Sequence, residues 1–382
     1  MSKQTVSTQF FSINHPVRLE SGGVLPHVQL AYETYGRLDA EKGNVLLLFH
    51  ALTGSQHAHG WNPSVPGVGD RWVEENHQGW WDSMIGSGKP LDTDRYFIIC
   101  VNLVGGCYGS TGPVSPHPED GRSWGSRFPD LAIADQARCQ VLLLDSLGIE
   151  RVMLVGPSVG GLVALSFSVL FPSRTKGLIS IGSGYRATME HRLSVFEQIL
   201  AIELDSNFKG GDYDVSNPPS KGLAFARIIG HKAFVHQEGL EARAKKAVGD
   251  ACGMLSCYEP KRSTQSYMLH QGTKFAKRFD ANSYIRIADM WAEFDICEQQ
   301  ETDSFTLAME SCAAARLPFL VFSIDTDCCF RSDEQARFVD LLKGAGVPVE
   351  YHTIHSDKGH DSFLLEPELY ADPIVKFLAD CQ

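Results

Sequence analysis

The segment from Gly156 to Gly161 constrains the fold of this chain more than any other part of its sequence. It reads Gly-Pro-Ser-Val-Gly-Gly, follows the apolar run 152–155 and precedes the apolar run 162–170. This order predicts a strand, a tight turn that carries Ser158, and a helix. Side chains larger than glycine on the flanks of such a turn would collide with the neighbouring strand or helix. The turn lifts the Ser158 hydroxyl clear of the sheet and points the first amides of the helix at whatever the serine attacks.

Apolar and helical segments alternate on both sides of this turn. Continuous apolar runs are typical of buried parallel strands, and they occur at residues 45–49, 96–102, 152–155, 178–181, 319–324 and 349–354. Helical patterns such as 133–147 and 333–344 lie between them, and residues 28–34 are predicted to add an antiparallel edge strand. The alternation predicts an α/β chain with a doubly wound, mostly parallel sheet. With the serine turn, it predicts the α/β-hydrolase fold.

Residues 185–304 have a different character from the rest of the chain. Strand patterns are missing there, and helical periodicities follow one another at 192–204, 222–234, 239–247, 263–280 and 282–292. We therefore predict an α/β core formed by residues 1–184 and 305–382 and a helical lid formed by residues 185–304. The lid is expected over the C-terminal edge of the sheet, where doubly wound folds bind their ligands.

Composition narrows the range of partners. The net charge of −12 leaves no basic excess to neutralise phosphates, which argues against a nucleic-acid partner. No apolar run is long enough to cross a bilayer, and no signal peptide is predicted. Ten cysteines without an export signal predict reduced thiols and a cytoplasmic location. Their spacing predicts no metal site.

A serine nucleophile needs a base, and the base needs an acid that fixes its tautomer. In this fold the acid and then the histidine follow the serine along the chain, in loops after later strands. The loop after strand 319–324 offers Asp325 and Asp327, and the loop after strand 349–354 offers His355 and His360. Both loops leave the same edge of the sheet as Ser158. Asp327 lies further past its strand and Gly359 gives His360 a flexible turn, but both alternatives stay open from spacing alone.

An acyl-transfer site also needs two backbone donors for the oxyanion. One is expected to be the amide of Val159, the residue after the nucleophile. The other is expected in the loop after the early strand 45–49, where the amide of Leu52 is our candidate.

Five segments, spread over nearly the whole chain, match one known family. They are HALTG at 50–54, GWWDSMIGSGKPLDTDRYFIICVNLVGGCYGSTGP at 79–113, GLAFARIIGH at 222–231, RFDANSYI at 278–285 and GHDSFL at 359–364. These segments resemble the homoserine O-acetyltransferase family, which also includes homoserine and serine O-succinyltransferases. General hydrolases do not share the 79–113 block.

The resemblance implies roles for five residues. It places the nucleophile at Ser158, the acid at Asp327 and the base at His360. The family's substrate-binding arginine falls on Arg227 and its substrate-binding aspartate on Asp361. A guanidinium would hold the α-carboxylate of an amino-acid acceptor, and a carboxylate would hold its α-ammonium.

The activity that the resemblance implies is acetyl transfer from acetyl-CoA to the hydroxyl of L-homoserine, through an acyl-enzyme on Ser158, in methionine biosynthesis. Acetyl-CoA or another acyl-CoA would be a co-substrate, and no cofactor would be bound permanently. The lid helices would position the acceptor, exclude water and form a homodimer interface. A serine hydrolase acting on small esters, a transferase for serine or succinyl-CoA, and a non-catalytic binding module are the alternatives.

The chain departs from the family pattern at three places near the expected site. Pro157 and Val159 replace the second and fourth residues of Gly-Gly-Ser-Met-Gly-Gly, and Pro157 removes an amide that the oxyanion does not need. Cys328 and Cys329 replace Trp-Leu after the acid, which predicts that an aromatic wall beside the acid is missing. The lid-start segment 194–202 lacks the family's polar asparagine and arginine.

Overall fold

The computed structural model describes residues 5–245 and 254–381. A central sheet of eight strands runs through the molecule. Its strands in chain order are β1 (Gln9–Ile13), β2 (Val28–Tyr35), β3 (Val45–Phe49), β4 (Phe97–Val101), β5 (Val152–Pro157), β6 (Thr175–Ile181), β7 (Phe319–Ile324) and β8 (Val349–Ile354). Two short ladders, Val17–Arg18 with Val24–Leu25 and Ile85–Gly86 with Leu91–Asp92, lie outside it.

The strand order in the sheet is β1-β2-β4-β3-β5-β6-β7-β8. The six strands from β4 to β8 in this order are parallel, and β2 is antiparallel to both β1 and β4. The predicted α/β class and mostly parallel sheet are therefore confirmed. The prediction that residues 28–34 form the edge is wrong, because Gln9–Ile13 pairs outside them and is the edge strand.

Burial follows the position of each strand in the sheet. Every residue of β3, β5 and β7 is buried, because helices cover both faces of the inner strands. In the outer strand β8 only Ile354 is buried. The inner strands therefore hold the ends of their loops, from which the site is built, in fixed positions.

Helices cover the sheet and fill the segment between β6 and β7. They are α1 (Ile133–Ser146), α2 (Val159–Leu170), α3 (Met189–Glu203), α4 (Ser220–Phe234), α5 (Gln237–Ala244), α6 (Ser263–Ala276), α7 (Ala281–Ala292), α8 (Ile296–Gln299), α9 (Phe305–Ala308), α10 (Glu310–Ala314), α11 (Ser332–Gly344), α12 (Ser362–Leu365) and α13 (Glu368–Asp380). Short 3₁₀ turns are Gly69–Arg71, Glu74–His77, Gly125–Arg127, Pro172–Arg174, Lys209–Gly211 and Gly359–Asp361.

Helices α3 to α8 lie within the predicted lid segment 185–304. Helix α4 packs between α3 and α6, and glycines allow the close approach. A Cβ on Gly222 would lie 2.7 Å from the Ala201 carbonyl oxygen of α3, and one on Gly272 would lie 2.5 Å from the Ala224 oxygen of α4. The end of the helix predicted at 239–247 falls on residues 246–253, which lie outside the described residues. The division into a core and a lid stays a prediction.

Candidate active site

Ser158 lies between the end of β5 and the start of α2, with φ 56° and ψ −130°. A positive φ is costly for a residue with a side chain and is kept only where the surroundings enforce it. The Ser158 amide donates to the Ile181 carbonyl of β6 at 2.8 Å, which anchors the strained turn to the sheet. The predicted strand, turn and helix are therefore present, with the serine at the sharpest point.

Three glycines allow this turn, because each lies too close to neighbouring atoms to leave room for a Cβ. A Cβ on Gly156 would lie 2.3 Å from the Gly160 carbonyl oxygen, and a Cβ on Gly161 would lie 2.6 Å from the Ser183 side chain. A Cβ on Gly160 would lie 2.2 Å from the Phe49 carbonyl oxygen at the end of β3. The contact at Gly160 brings the start of α2 against the loop that follows β3.

Hydrogen bonds connect Ser158 to His360, in the loop after β8, and His360 to Asp327, in the loop after β7. His360 Nε2 lies 2.8 Å from Ser158 Oγ, and His360 Nδ1 lies 2.7 Å from Asp327 Oδ2. The other carboxylate oxygen accepts the amides of Cys329 at 2.7 Å and Phe330 at 2.9 Å. Since an ionised carboxylate only accepts, Nδ1 carries the proton and Nε2 is left to accept the serine hydroxyl. This is the protonation state that a general base needs.

The environment of His360 stabilises the protonated form of its imidazole ring. Burial lowers the pKa of His360, but the charge and hydrogen bond of Asp327, together with the charge of Asp361, outweigh burial and hold it above its ordinary value. An imidazolium formed during attack is therefore stabilised in place.

The competing acid and base also pair with each other, at the surface. His355 Nδ1 lies 2.8 Å from Asp325 Oδ2, and the His355 side chain is 82% exposed. Neither residue makes a hydrogen bond to Ser158 in the part of the chain that the structure describes. The structure thus brings Asp327 and His360 to the serine and leaves Asp325 and His355 outside.

Aromatic rings pack beside the base, whereas the position directly after the acid holds the exposed Cys328 and supplies no ring. The Phe330 ring stacks on the His360 ring with centroids 5.7 Å apart, and Trp291 of α7 stacks behind Phe330 at 5.9 Å. Phe330 lies two positions after the replaced Cys328, and its amide binds Asp327, which turns the ring toward the base.

His191 of α3 is a supporting residue that the sequence analysis missed. Its Nε2 lies 2.5 Å from the Cys329 carbonyl oxygen, and its Nδ1 accepts the Thr188 amide at 3.1 Å. Burial lowers the pKa of His191 despite this carbonyl and the charge of Asp327. A neutral His191 therefore donates from Nε2 and holds the residue whose amide binds Asp327.

The loop after β3 is held by a buried histidine. His50 accepts the Leu103 amide at Nε2, 3.1 Å away, so its Nδ1 carries the proton and donates to the Ala51 carbonyl at 2.8 Å. Burial lowers the pKa of His50 to about 4, which keeps the ring neutral. Leu52 follows directly in this loop. Val159 is the first residue of α2, so its amide has no acceptor within the helix.

Arg227 of α4 is half-buried between two aromatic rings. Its guanidinium lies 5.2 Å from the Phe234 ring centroid and 5.0 Å from that of Phe275. Burial, and then the neighbouring charge of Arg278, lower the pKa of Arg227. Among residues 5–245 and 254–381 no ion pair of Arg227 is found. The Phe234 ring also lies 5.9 Å from the His360 ring, so one aromatic ring packs against both Arg227 and the base.

Asp361 directly follows the base and is already paired. Its Oδ2 lies 3.1 Å from Nη1 of Arg243 on α5. Arg278 is a second arginine that the sequence analysis did not single out, although it begins the RFDANSYI segment. It donates to the Tyr108 hydroxyl at 3.0 Å and lies 3.4 Å from the Thr53 carbonyl oxygen, next to Leu52.

Two features are absent from residues 5–245 and 254–381. No helix there has the length and apolar character to cross a membrane. No group of three or more histidine, cysteine or acidic side chains there is placed to hold a metal ion.

Comparison with known proteins agrees with this geometry. Residues 44–367 match a family described as alpha/beta hydrolase fold. The chain is 36% identical to a homoserine O-acetyltransferase of Rhodospirillum rubrum, over 96% of this chain and 90% of that protein. It is also 36% identical to a homoserine O-succinyltransferase of Cellvibrio japonicus, over 99% and 97% respectively. Its structure is similar to the crystal structure of homoserine O-acetyltransferase from Bacillus anthracis, with a TM-score of 0.85, 27% identity and 98% of each chain covered.

Proposed function

The chain belongs to the homoserine O-acetyltransferase family of α/β hydrolases, and on this basis we propose that it transfers an acetyl group from acetyl-CoA to L-homoserine. The hydrogen-bonded chain from Ser158 through His360 to Asp327 is the observation that carries the proposal. The guanidinium of Arg227 forms no ion pair with the described residues and contacts the ring that packs against His360, which supports an acceptor that bears a carboxylate.

The first half-reaction loads the enzyme. His360 Nε2 takes the hydroxyl proton of Ser158 as Oγ attacks the thioester carbonyl of acetyl-CoA. The amides of Leu52 and Val159 stabilise the tetrahedral oxyanion. The imidazolium then returns its proton to the departing sulfur, so that CoA leaves as the thiol and the acetyl group stays on Ser158.

The second half-reaction repeats these steps with a different nucleophile. His360 removes the proton of the homoserine hydroxyl, which attacks the acetyl-serine ester, and the proton returns to Ser158 when it leaves. Arg227 holds the acceptor carboxylate and Asp361 faces its ammonium. Binding the acceptor at two points raises its effective concentration above that of competing water.

The acetyl donor is a finer proposal than acyl transfer itself. The relatives include proteins named for acetyl and for succinyl transfer, so the donor is tested by direct competition. We expect acetyl-CoA to give a higher kcat/KM than succinyl-CoA with homoserine as the acceptor. A preference for succinyl-CoA would contradict the acetyl assignment and leave the homoserine acyltransferase assignment intact.

The central test follows CoA release by purified protein with acetyl-CoA, with and without homoserine. We expect release that depends on homoserine and is lost in Ser158→Ala, while the exposed control Ser64→Ala behaves like the wild type. Equal release without homoserine would instead identify a hydrolase. Release that survives in Ser158→Ala would overturn the mechanism.

A homodimer formed through the lid helices is part of the same proposal. One side of α3 exposes large apolar side chains at helical spacing, and such contiguous patches are uncommon on monomers. They are Met189, Leu193, Phe196 and Leu200 of α3, followed by Leu204 at its C-terminal end. An apolar groove of about 990 Å³ begins beside Leu204 and continues along α4 and α6. A second copy of the chain covers both when two α3 helices meet across a twofold axis.

Light scattering during size-exclusion chromatography tests this interface. We expect the wild type to have the mass of two chains and Phe196→Glu the mass of one, with the exposed neighbour Glu197→Gln as the matched control. A monomeric wild type would contradict the dimer and leave the chemistry untouched. The cytoplasmic location stays a prediction, and the nine described cysteines form no disulfide with one another.

A further inference from the structure

We propose that Arg243 sets the specificity of the acceptor site, because it already occupies the carboxylate that an acceptor's ammonium would bind. This inference rests on the proposed function and extends it to how the enzyme chooses among hydroxy acids. It concerns discrimination between acceptors that carry an α-ammonium and those that lack one.

The contact itself is well defined. Arg243 Nη1 lies 3.1 Å from Asp361 Oδ2, and the two side chains are only 24% and 22% exposed. The other terminal nitrogen, Nη2, is buried and makes no hydrogen bond to the residues that the structure describes. Both groups are therefore only partly exposed to solvent, and their charges are screened less than those of a fully exposed ion pair.

Helix α5 is fitted tightly against the loop that carries Asp361. A Cβ on Gly239 of α5 would lie 2.6 Å from the Asp357 carbonyl oxygen. A Cβ on Gly359, which has φ 66°, would lie 2.6 Å from the His236 amide nitrogen just before α5. Arg243 and Asp361 therefore face each other across a close-packed junction, and their pairing does not depend on a loose surface contact.

The charges around this junction explain the effect on substrates. Burial, and then the charges of Arg227 and Arg243, lower the pKa of His231 to about 3. Arg227 and Arg243 thus both act on His231, Arg278 lies beside Arg227, and Asp361 is the carboxylate that Arg243 contacts. Arg227 is available for the carboxylate of the acceptor, so the acceptor's ammonium must share Asp361 with Arg243. Because Arg243 and the ammonium share Asp361, the site prefers acceptors with an ammonium less strongly. When the acceptor has no ammonium, Asp361 is still paired with Arg243.

The test is a competition between L-homoserine and γ-hydroxybutyrate, its analogue without the amino group. Both acceptors react with the same acetyl-enzyme, so the ratio of the two acetylated products is independent of how fast the enzyme is loaded. We expect Arg243→Gln to raise the homoserine preference about tenfold or more, because Asp361 then pairs only with the ammonium. Arg243→Lys keeps the charge, and we expect its ratio to stay close to that of the wild type.

A double variant separates specificity from folding. In Asp361→Asn the carboxylate is gone, so we expect a lower homoserine preference and no further change when Arg243→Gln is added. An unchanged or lower preference in Arg243→Gln would overturn the inference, and so would an effect of equal size in the Asp361→Asn background. If Arg243→Gln does not fold, a wild-type ratio in Arg243→Lys together with a lower ratio in Asp361→Asn supports the inference. An unchanged ratio in Asp361→Asn refutes it.

The proposed function can fail separately. A wild type that releases no CoA in response to homoserine overturns the proposed function, and this inference falls with it. If the wild type releases CoA in response to homoserine, but every Arg243 variant gives the same product ratio as the wild type, this inference alone is overturned.

Discussion

Replacing Asp327 with asparagine tests the hydrogen-bonded chain at its innermost member. The asparagine oxygen can still accept the amides of Cys329 and Phe330, at the present 2.7 and 2.9 Å, so the loop keeps its anchor. The amide nitrogen then faces His360 Nδ1 in place of the carboxylate oxygen now 2.7 Å away. Because that nitrogen only donates, the proton of His360 moves to Nε2, and the ring can no longer accept the Ser158 hydroxyl.

The size of the loss follows from this change of tautomer and from the missing charge. The same exchange in a serine triad costs about 10⁴-fold in kcat, which corresponds to about 5 kcal/mol of transition-state stabilisation. We expect a loss of this order in acetyl-enzyme formation, measured as the rapid release of CoA after mixing. Without the Asp327 charge the pKa of His360 falls, because burial then dominates. The residual rate of Asp327→Asn should therefore rise over a lower pH range than the wild-type rate does.

Asp325→Asn is the matched control, since it removes the same charge two residues away. Asp325 pairs with the exposed His355 and makes no contact with the serine in the described chain, so we expect a rate within about twofold of the wild type. Equal losses in the two variants, or a loss below tenfold in Asp327→Asn with the fold intact by circular dichroism, would refute the assignment of Asp327.

Three further changes test other parts of the structure. Gly160→Ala places a Cβ 2.2 Å from the Phe49 carbonyl oxygen, so we expect a loss of about 2 kcal/mol in the free energy of unfolding, measured with denaturant, and a wild-type value would contradict the close approach. Arg227→Gln removes the charge that we propose holds the acceptor carboxylate, and we expect the KM for homoserine to rise about 10- to 100-fold; an unchanged KM would contradict a role of Arg227 in acceptor binding. Glu33 is buried, and the hydrogen bond and charge of His57 help to hold the pKa of Glu33 below its ordinary 4.5 despite burial. Its contribution is therefore present above that value and lost as pH falls through the folded-state pKa. Glu33→Gln should cost about 3 kcal/mol near pH 7 and less near pH 3, and a cost independent of pH would contradict an ionised Glu33.

The inner strands of the sheet could be predicted because burial on both faces selects continuous apolar sequences. The outermost strand could not, since Gln9–Ile13 is mostly exposed or half-buried and owes its position to pairing with β2. The amphipathic pattern of residues 28–34 suggested an edge strand, although neighbouring strands pair with it on both sides.

The serine could be located from sequence, whereas the choice of its partners could not. Two aspartates and two histidines occur in the right order, and each aspartate binds one of the histidines. The paths of two loops decide which aspartate–histidine pair reaches Ser158, and these paths cannot be predicted from the spacing of the residues in the sequence. His191 and Arg243 carry no local signal at all, because their contacts join residues 138 and 118 positions apart.

The hydrogen bond from His191 has a mechanical consequence. His191 lies on α3, the first helix of the segment expected to cover the site, and it holds the Cys329 carbonyl while the Cys329 amide holds Asp327. A movement of α3 away from the core would break the first of these bonds and loosen the second. The position of α3 and the support of the carboxylate that orients His360 are therefore linked through His191 and Cys329.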